Sequence, residues 1–180
     1  HLIEERLRRL ALHHAIGDRV GVLLVPVARR PDPVLQVDAG ALLDDVRRLL
    51  DLEALARTSY TTVMLAKTES AEQVRALAPL DVVVLVETPL GALAVTETAR
   101  VDNTYAVMWG AEDLFAATGG TANRWPDGSY RDVAQHVRSQ SLLAAKAFGK
   151  LALDSVYLDI KNLDGLRSEV DDAVVGDAVA

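Results

Sequence analysis

DVVVLVETPLGALAVTETARVDNTYAVMWGAEDLFAATGG, residues Asp81 to Gly120, contains two apolar, β-branched runs that each lead to a carboxylate. Val82–Val86 delivers Glu87 just before Thr88-Pro89, and Tyr105–Trp109 delivers Glu112 and Asp113 just after Gly110. Leu90–Arg100 lies between them and is long enough for about three helical turns. The spacing predicts a strand, a helix and a second strand, with the two strands parallel. Parallel neighbours put their C-terminal ends on one side, so Glu87 and Asp113 can converge. Two nearby carboxylates repel unless a proton or a cation lies between them. Such a pair at the mouths of buried parallel strands suits a hard divalent ion such as Mg²⁺. On spacing alone, the alternative is that one or both are solvated loop residues or helix caps. Glu112 is expected to support the site from behind or face outward, and Glu97 to face solvent.

Outward from this unit the pattern continues. Thr61–Lys67 predicts a strand and Ala71–Leu77 a helix, with Ser70 as its N-cap. Lys67, at a strand mouth, could bind an anion; helix capping or a surface role is the alternative. Val34–Asp38 predicts an earlier strand, and Ala41–Ala56 a helix with its stripe at Leu42, Val46, Leu49 and Leu50. Val20–Val27 reads as a further buried strand and Leu2–Leu12 as an amphipathic helix. His13 and His14 are adjacent, so they face different sides of a helix and read as solvent-facing or tag-derived. On the C-terminal side, Gly119-Gly120 and Pro126 to Gly128 mark a loop holding Arg124 and Trp125, expected over the carboxylates. Tyr130–Phe148 predicts a helix buried through Val133, Val137, Leu142, Ala145 and Phe148, closed by Gly149. Leu151–Leu153 and Val156–Leu158 flank Asp154, and Asn162–Val174 predicts a last helix buried through Leu163, Leu166 and Val170. His136 is the one histidine beyond His14 and is expected to be structural.

Length and charge narrow the function. At 180 residues the chain can form one domain with a full core, read here as a single α/β domain over 1–180 with a helical segment at 1–19. The net charge of −7 argues against nucleic acid as a partner, because phosphate contacts need a basic surface. There is no cysteine, so thiolate metal sites and thiol nucleophiles are excluded. No apolar run reaches the length of a membrane span, and no signal peptide is visible, so a cytoplasmic enzyme is expected. Gly119-Gly120-Thr121 lacks the lysine and spacing of a phosphate loop.

VETPLGA (residues 86–92) followed by MWGAEDL (residues 108–114) resembles the citrate lyase β-subunit-like branch of the HpcH/HpaI aldolases, over residues from about Val34 to Gly176. The resemblance implies a TIM-type (β/α)₈ barrel, a Mg²⁺ held by Glu87 and Asp113, and lyase chemistry through a metal-stabilised enolate. It also implies a CoA thioester or small keto or hydroxy acid as substrate, and a homotrimer. Pro26-Val27-Ala28-Arg29 resembles the end of the family's first barrel strand, which would put Arg29 at the catalytic face; a surface arginine in a Pro-rich loop is the alternative. Gln36 stands where the resemblance implies a substrate-binding arginine, and Asp38 where it implies asparagine. Ala66 replaces the proline that usually precedes the lysine at 67. A full barrel typically takes roughly 250 residues, and strands like the family's second and last have no counterpart here, so the barrel is expected to be incomplete. The departures leave two other functions open: a catalytically degenerate barrel serving as a binding or scaffold subunit, and a pyruvate aldolase acting on sugar acids.

Overall fold

Thr62–Ala66 and Asp81–Val86 are apolar at nearly every position, and a strand covered on both faces requires that lack of alternation. In the computed structural model, which describes residues 35–38, 53, 55 and 57–175, both are strands. Among the described residues five strands form one sheet: β1 (Leu35–Asp38), β2 (Thr62–Ala66), β3 (Asp81–Val86), β4 (Thr104–Trp109) and β5 (Leu151–Leu153). They lie in sequence order, and every neighbouring pair is parallel. The helices are α1 (Ala71–Arg75), α2 (Pro89–Ala99), α3 (Ala111–Ala117), α4 (Asp132–Ala147) and α5 (Leu163–Val175).

The packing on the two faces distinguishes a barrel wall from an open doubly wound sheet. One core cluster joins Val63, Leu65, Val82, Val84, Val86, Val107 and Trp109 to residues of α1, α2, α3 and α4. On the opposite face the buried cluster consists of strand residues alone: Met64, Ala66, Val83, Leu85, Ala106 and Met108. A doubly wound sheet has helices on both faces and a point where strand order reverses. Among the described residues the helices packed on the sheet cover one face and the order runs without reversal, as in part of a (β/α)₈ barrel whose inner face is filled by side chains.

Local chemistry places the helix starts. The Ser70 hydroxyl accepts from the Gln73 amide, and the Gln73 side chain accepts from Ser70 N–H, a reciprocal cap that opens α1. Thr88 caps α2 by accepting from Gly91 N–H at 3.0 Å, with Pro89 in the first turn. Gly149, at φ +66, follows α4 and takes the left-handed conformation that ends it.

Two helix faces differ from the expectation. On α4 the buried residues are Ala134, Val137, Ser141, Ala144 and Ala145, while Val133 is exposed. The helix turns its small residues inward, which lets it approach the sheet closely, and Leu142 and Phe148 cover only the edge of the core. On α5 Leu163 and Leu166 are exposed and Val170 is half-buried, while Ala173 is, among the described side chains, the buried one. Val156–Leu158 forms no strand; Val156 and Leu158 are exposed. The helix expected at Leu2–Leu12, His13, His14, the strand at Val20–Val27 and Arg29 lie outside the described residues. So does most of Ala41–Ala56, of which Glu53 and Leu55 are helical.

α2 meets the turn between β2 and α1 at Gly91. A Cβ there would stand 2.5 Å from the Thr68 carbonyl oxygen and 3.1 Å from Thr88 Oγ1. Alanine in a helix interior normally gains about 1 kcal/mol over glycine, but overpacking against fixed backbone costs about 1–3 kcal/mol. Gly91→Ala is therefore expected to lower the urea midpoint of unfolding. A raised midpoint would show that α2 can retreat from the turn.

Candidate metal centre

The register of β3 and β4 brings the carboxylates together. Val86 lies opposite Trp109, and Gly110 N–H extends the ladder by donating to the Val86 carbonyl at 2.9 Å. Glu87 therefore emerges level with Gly110. The next residues start α3, with Gly110 as N-cap and Asp113 in the first turn. Gly110 leaves room for the Glu87 side chain, because a Cβ there would stand 3.0 Å from Glu87 Cβ and 3.1 Å from its Oε2. Glu87 is only 5% exposed. Asp113 is half-buried and close enough to hydrogen-bond with Glu87 and to repel its charge.

The third contributor comes from the turn that follows β2. Lys67 N–H donates to Glu87 Oε1 at 2.9 Å. Burial pushes the Glu87 carboxyl up to about 7; the amide of Lys67 opposes that rise and the charge of Asp113 adds to it. Near neutral pH the metal-free site thus holds one carboxyl poised between its charged and neutral forms.

This donor set fits Mg²⁺. No group of three or more His, Cys, Asp or Glu side chains gathers into a cage among the described residues. Zn²⁺ and Ca²⁺ sites usually draw three or more ligands from the protein, whereas Mg²⁺ keeps several waters and takes one or two carboxylates. Glu87 and Asp113 would hold the ion.

The other candidates are placed as follows. Gln36 lies on β1 opposite Met64, two strands from Glu87, and Arg29 is outside the described residues. Glu112 is exposed and accepts from Asn123 Nδ2. Glu97 is exposed as expected, and His136 sits exposed on α4 rather than inside the core. Arg124 pairs with Glu169 and lies 3.7 Å over the Tyr130 ring, while Trp125 carries the Arg131 guanidinium. Arg124, Tyr130 and Glu169 border a cavity of about 970 Å³ between α4, α5 and the loop before α4, and its two arginines, Arg124 and Arg138, are both ion-paired.

Three contributors escaped the sequence reading. Lys67 acts here through its amide, which no side-chain pattern reveals. Gly110 reads as an ordinary turn residue until the Glu87 side chain is seen beside it. Arg138 joins Asp154, which accepts from Trp109 Nε1 at 2.5 Å, Arg138 Nε at 3.1 Å and Ser155 N–H at 2.9 Å. Trp109 immediately precedes Gly110, so this network fixes the strand end from which the Gly110 turn departs. The signal for it was an acid directly after β5 combined with an arginine on α4.

The sequence profile of the HpcH/HpaI aldolase/citrate lyase family matches residues 34–176. A citrate lyase subunit beta-like protein of Mycobacterium tuberculosis is 58% identical over 140 residues, which are 78% of this chain and 50% of that protein. The mitochondrial citramalyl-CoA lyase of Mus musculus is 30% identical over 142 residues, covering 65% of this chain and 40% of the mouse protein. Among solved structures, protein CitE of Mycobacterium tuberculosis in complex with magnesium, acetoacetate and coenzyme A matches with a TM-score of 0.75 and 57% identity. That match covers 81% of this chain and 54% of the solved one. The chain spans about half the length of the curated relatives it matches.

The electrostatics of Glu87 give a pH dependence. Its carboxyl binds a proton more tightly in the folded state, at about 7, than at the ordinary 4.5. Its contribution to stability is therefore complete below pH 4.5 and is lost as pH rises through about 7. That shift corresponds to a loss of up to about 3 kcal/mol for the metal-free protein. Urea unfolding from pH 4.5 to 8 should show this decline in wild type and a flatter profile in Glu87→Gln. Parallel profiles would mean that the Glu87 carboxyl is ionised throughout.

Proposed function

The chain belongs to the HpcH/HpaI aldolase/citrate lyase family, and from that premise we propose that it carries the metal-holding wall of a Mg²⁺-dependent carbon–carbon lyase. The observation that carries the reading is a buried carboxylate, Glu87, beside Asp113 at the C-terminal mouths of adjacent parallel strands. Barrel enzymes place their chemistry at this end of the sheet. The citrate lyase β-like relative, the citramalyl-CoA lyase and the magnesium-bound CitE structure support the same class. The proposed substrate is a CoA thioester or a small keto or hydroxy acid, and the proposed assembly is a homotrimer.

Each residue has a part in this reading. Glu87 and Asp113 would hold the ion with their carboxylates. Gly110 keeps the space beside Glu87 open, and the Lys67 amide holds Glu87 Oε1. When bound, Mg²⁺ supplies a positive centre for the negative charge that develops on a substrate oxygen as the carbon–carbon bond breaks. The dry, fixed setting of Glu87 keeps the carboxylate from reorganising as that charge appears.

A second reading, a barrel that binds its ligand without efficient catalysis, draws on Gln36. Glutamine offers one neutral amide where arginine would offer a charged two-pronged donor. A hydrogen bond to a charged group contributes about 1.5–3 kcal/mol against about 1 for a neutral pair, a difference of about tenfold or more in rate if it acts in the transition state. Gln36→Arg should then raise cleavage across a panel of keto acids and acyl-CoA thioesters without changing Mg²⁺ affinity. Robust wild-type turnover that falls in this variant would instead make glutamine the adapted residue.

Calorimetric titration tests the metal site. Mg²⁺ should bind wild type with one site, and Glu87→Gln and Asp113→Asn should each weaken binding severely. Because a proton competes for Glu87, affinity should fall about tenfold for each pH unit below about 7. Unchanged affinity in either variant would remove that residue from the site.

A further inference from the structure

Lys67 has φ +49 and is, among the described residues, the one non-glycine residue in the left-handed region. L-residues with long side chains avoid that region because Cβ crowds the backbone. Such a conformation persists where the surroundings over-determine it, and it marks candidate functional positions. The turn after β2 is fixed from four sides. Thr68 N–H donates to the Leu85 carbonyl of β3 at 3.2 Å, and Thr68 Oγ1 donates to the Leu65 carbonyl of β2 at 2.6 Å. Glu69 N–H and Ser70 N–H donate to Gln73 Oε1 at 2.8 and 3.0 Å, tying the turn to α1. Thr88 Oγ1 donates to Glu69 Oε1 at 2.8 Å, and Gly91 admits the Thr68 carbonyl, tying it to α2.

The left-handed residue bends the chain out of the sheet ladder as β2 ends. Thr68 N–H takes the next β3 carbonyl, and Lys67 N–H faces the Glu87 carboxylate instead. We infer that Lys67 is a positioning residue whose backbone amide, aimed by this clamped left-handed turn, holds the Glu87 carboxylate in the orientation that binds the cation. The inference rests on the reading of Glu87 as a metal ligand and assigns the work to the peptide group, not to the ammonium. An ammonium beside the site would repel a divalent cation, so its removal should do no harm to binding.

Variants at position 67 separate amide from ammonium. Glycine and asparagine tolerate the left-handed conformation and keep the N–H; valine, being β-branched, resists it. Mg²⁺ titration of Lys67→Gly and Lys67→Asn should give affinities equal to wild type or tighter. Folded Lys67→Val should bind about tenfold or more weakly, as expected for a lost hydrogen bond to a charged group. In the metal-free protein the Lys67 amide proton should resonate downfield and move upfield in Glu87→Ala. If Lys67→Val does not fold, the glycine and asparagine variants and the amide resonance decide. Weakened binding by about tenfold in both Lys67→Gly and Lys67→Asn would overturn the inference, and so would wild-type affinity in folded Lys67→Val or an amide resonance indifferent to Glu87. Failure of wild type to bind Mg²⁺ would overturn the metal site and this inference together, whereas loss confined to the position-67 variants would leave the metal site standing.

Discussion

A carboxylate held out of water at the end of a buried strand is the constraint around which this structure is arranged. Glu87 follows six residues of β3 and is itself buried. Removing a charge from water is costly, and the group adapts by neutralising or by acquiring partners. Here the partners are a peptide N–H from the turn after β2, a second acid from α3 and a glycine that leaves space. None of them neutralises the charge. Burial raises the Glu87 carboxyl to about 7, and the pair retains a deficit of positive charge that Mg²⁺ would supply.

The fold converts this local demand into a geometry. Sequence-ordered parallel strands bring the ends of β2, β3 and β4 into register, so Lys67, Glu87 and Gly110 meet although they are far apart in the chain. Trp109 anchors the last of these ends: its indole N–H donates to Asp154, and its ring packs edge-on to Tyr130 with centroids 5.0 Å apart. Arg138 links Asp154 to Asp172 on α5. The two carboxylate partners of Arg138 outweigh the effect of burial and keep its charge firmly in place. The far side of β4 is thus fixed by a charged network, while the Glu87 side is fixed by backbone.

The sequence made legible what depends on side-chain type in a regular pattern. Unbroken β-branched runs marked strands buried on both faces, and Ser70 and Thr88 marked helix starts through the hydroxyls they contribute. Glu87 and Asp113 were singled out because they follow buried runs and stand in the VETPLGA and MWGAEDL stretches that carry the family resemblance; on spacing alone, solvated loop residues or helix caps remained the alternative. The face of α4 was misread because close helix–sheet contact selects small residues, so Ala134, Ser141 and Ala144 are buried while the larger Val133 is exposed. Lys67 was read by its ammonium, yet its contact with Glu87 Oε1 is made by an amide that every residue except proline has. That contact depends on one backbone dihedral, which is set by hydrogen bonds from β2, β3, α1 and α2 and has no signature in the identity of residue 67. Its neighbours Gly91 and Gly110 carry the legible trace, as glycines where another backbone or side chain approaches.

The central claim is that a divalent cation occupies the space between Glu87 and Asp113. Mn²⁺ substitutes for Mg²⁺ at oxygen sites, and its anomalous scattering reports its position directly. In crystals soaked with Mn²⁺ at neutral pH, the account predicts a single anomalous peak at about 2.1 Å from an oxygen of each carboxylate, with Lys67 N–H still bonded to Glu87 Oε1. The contradicting result is no peak at the pair, with Glu87 and Asp113 sharing a proton across a direct hydrogen bond in saturating Mn²⁺.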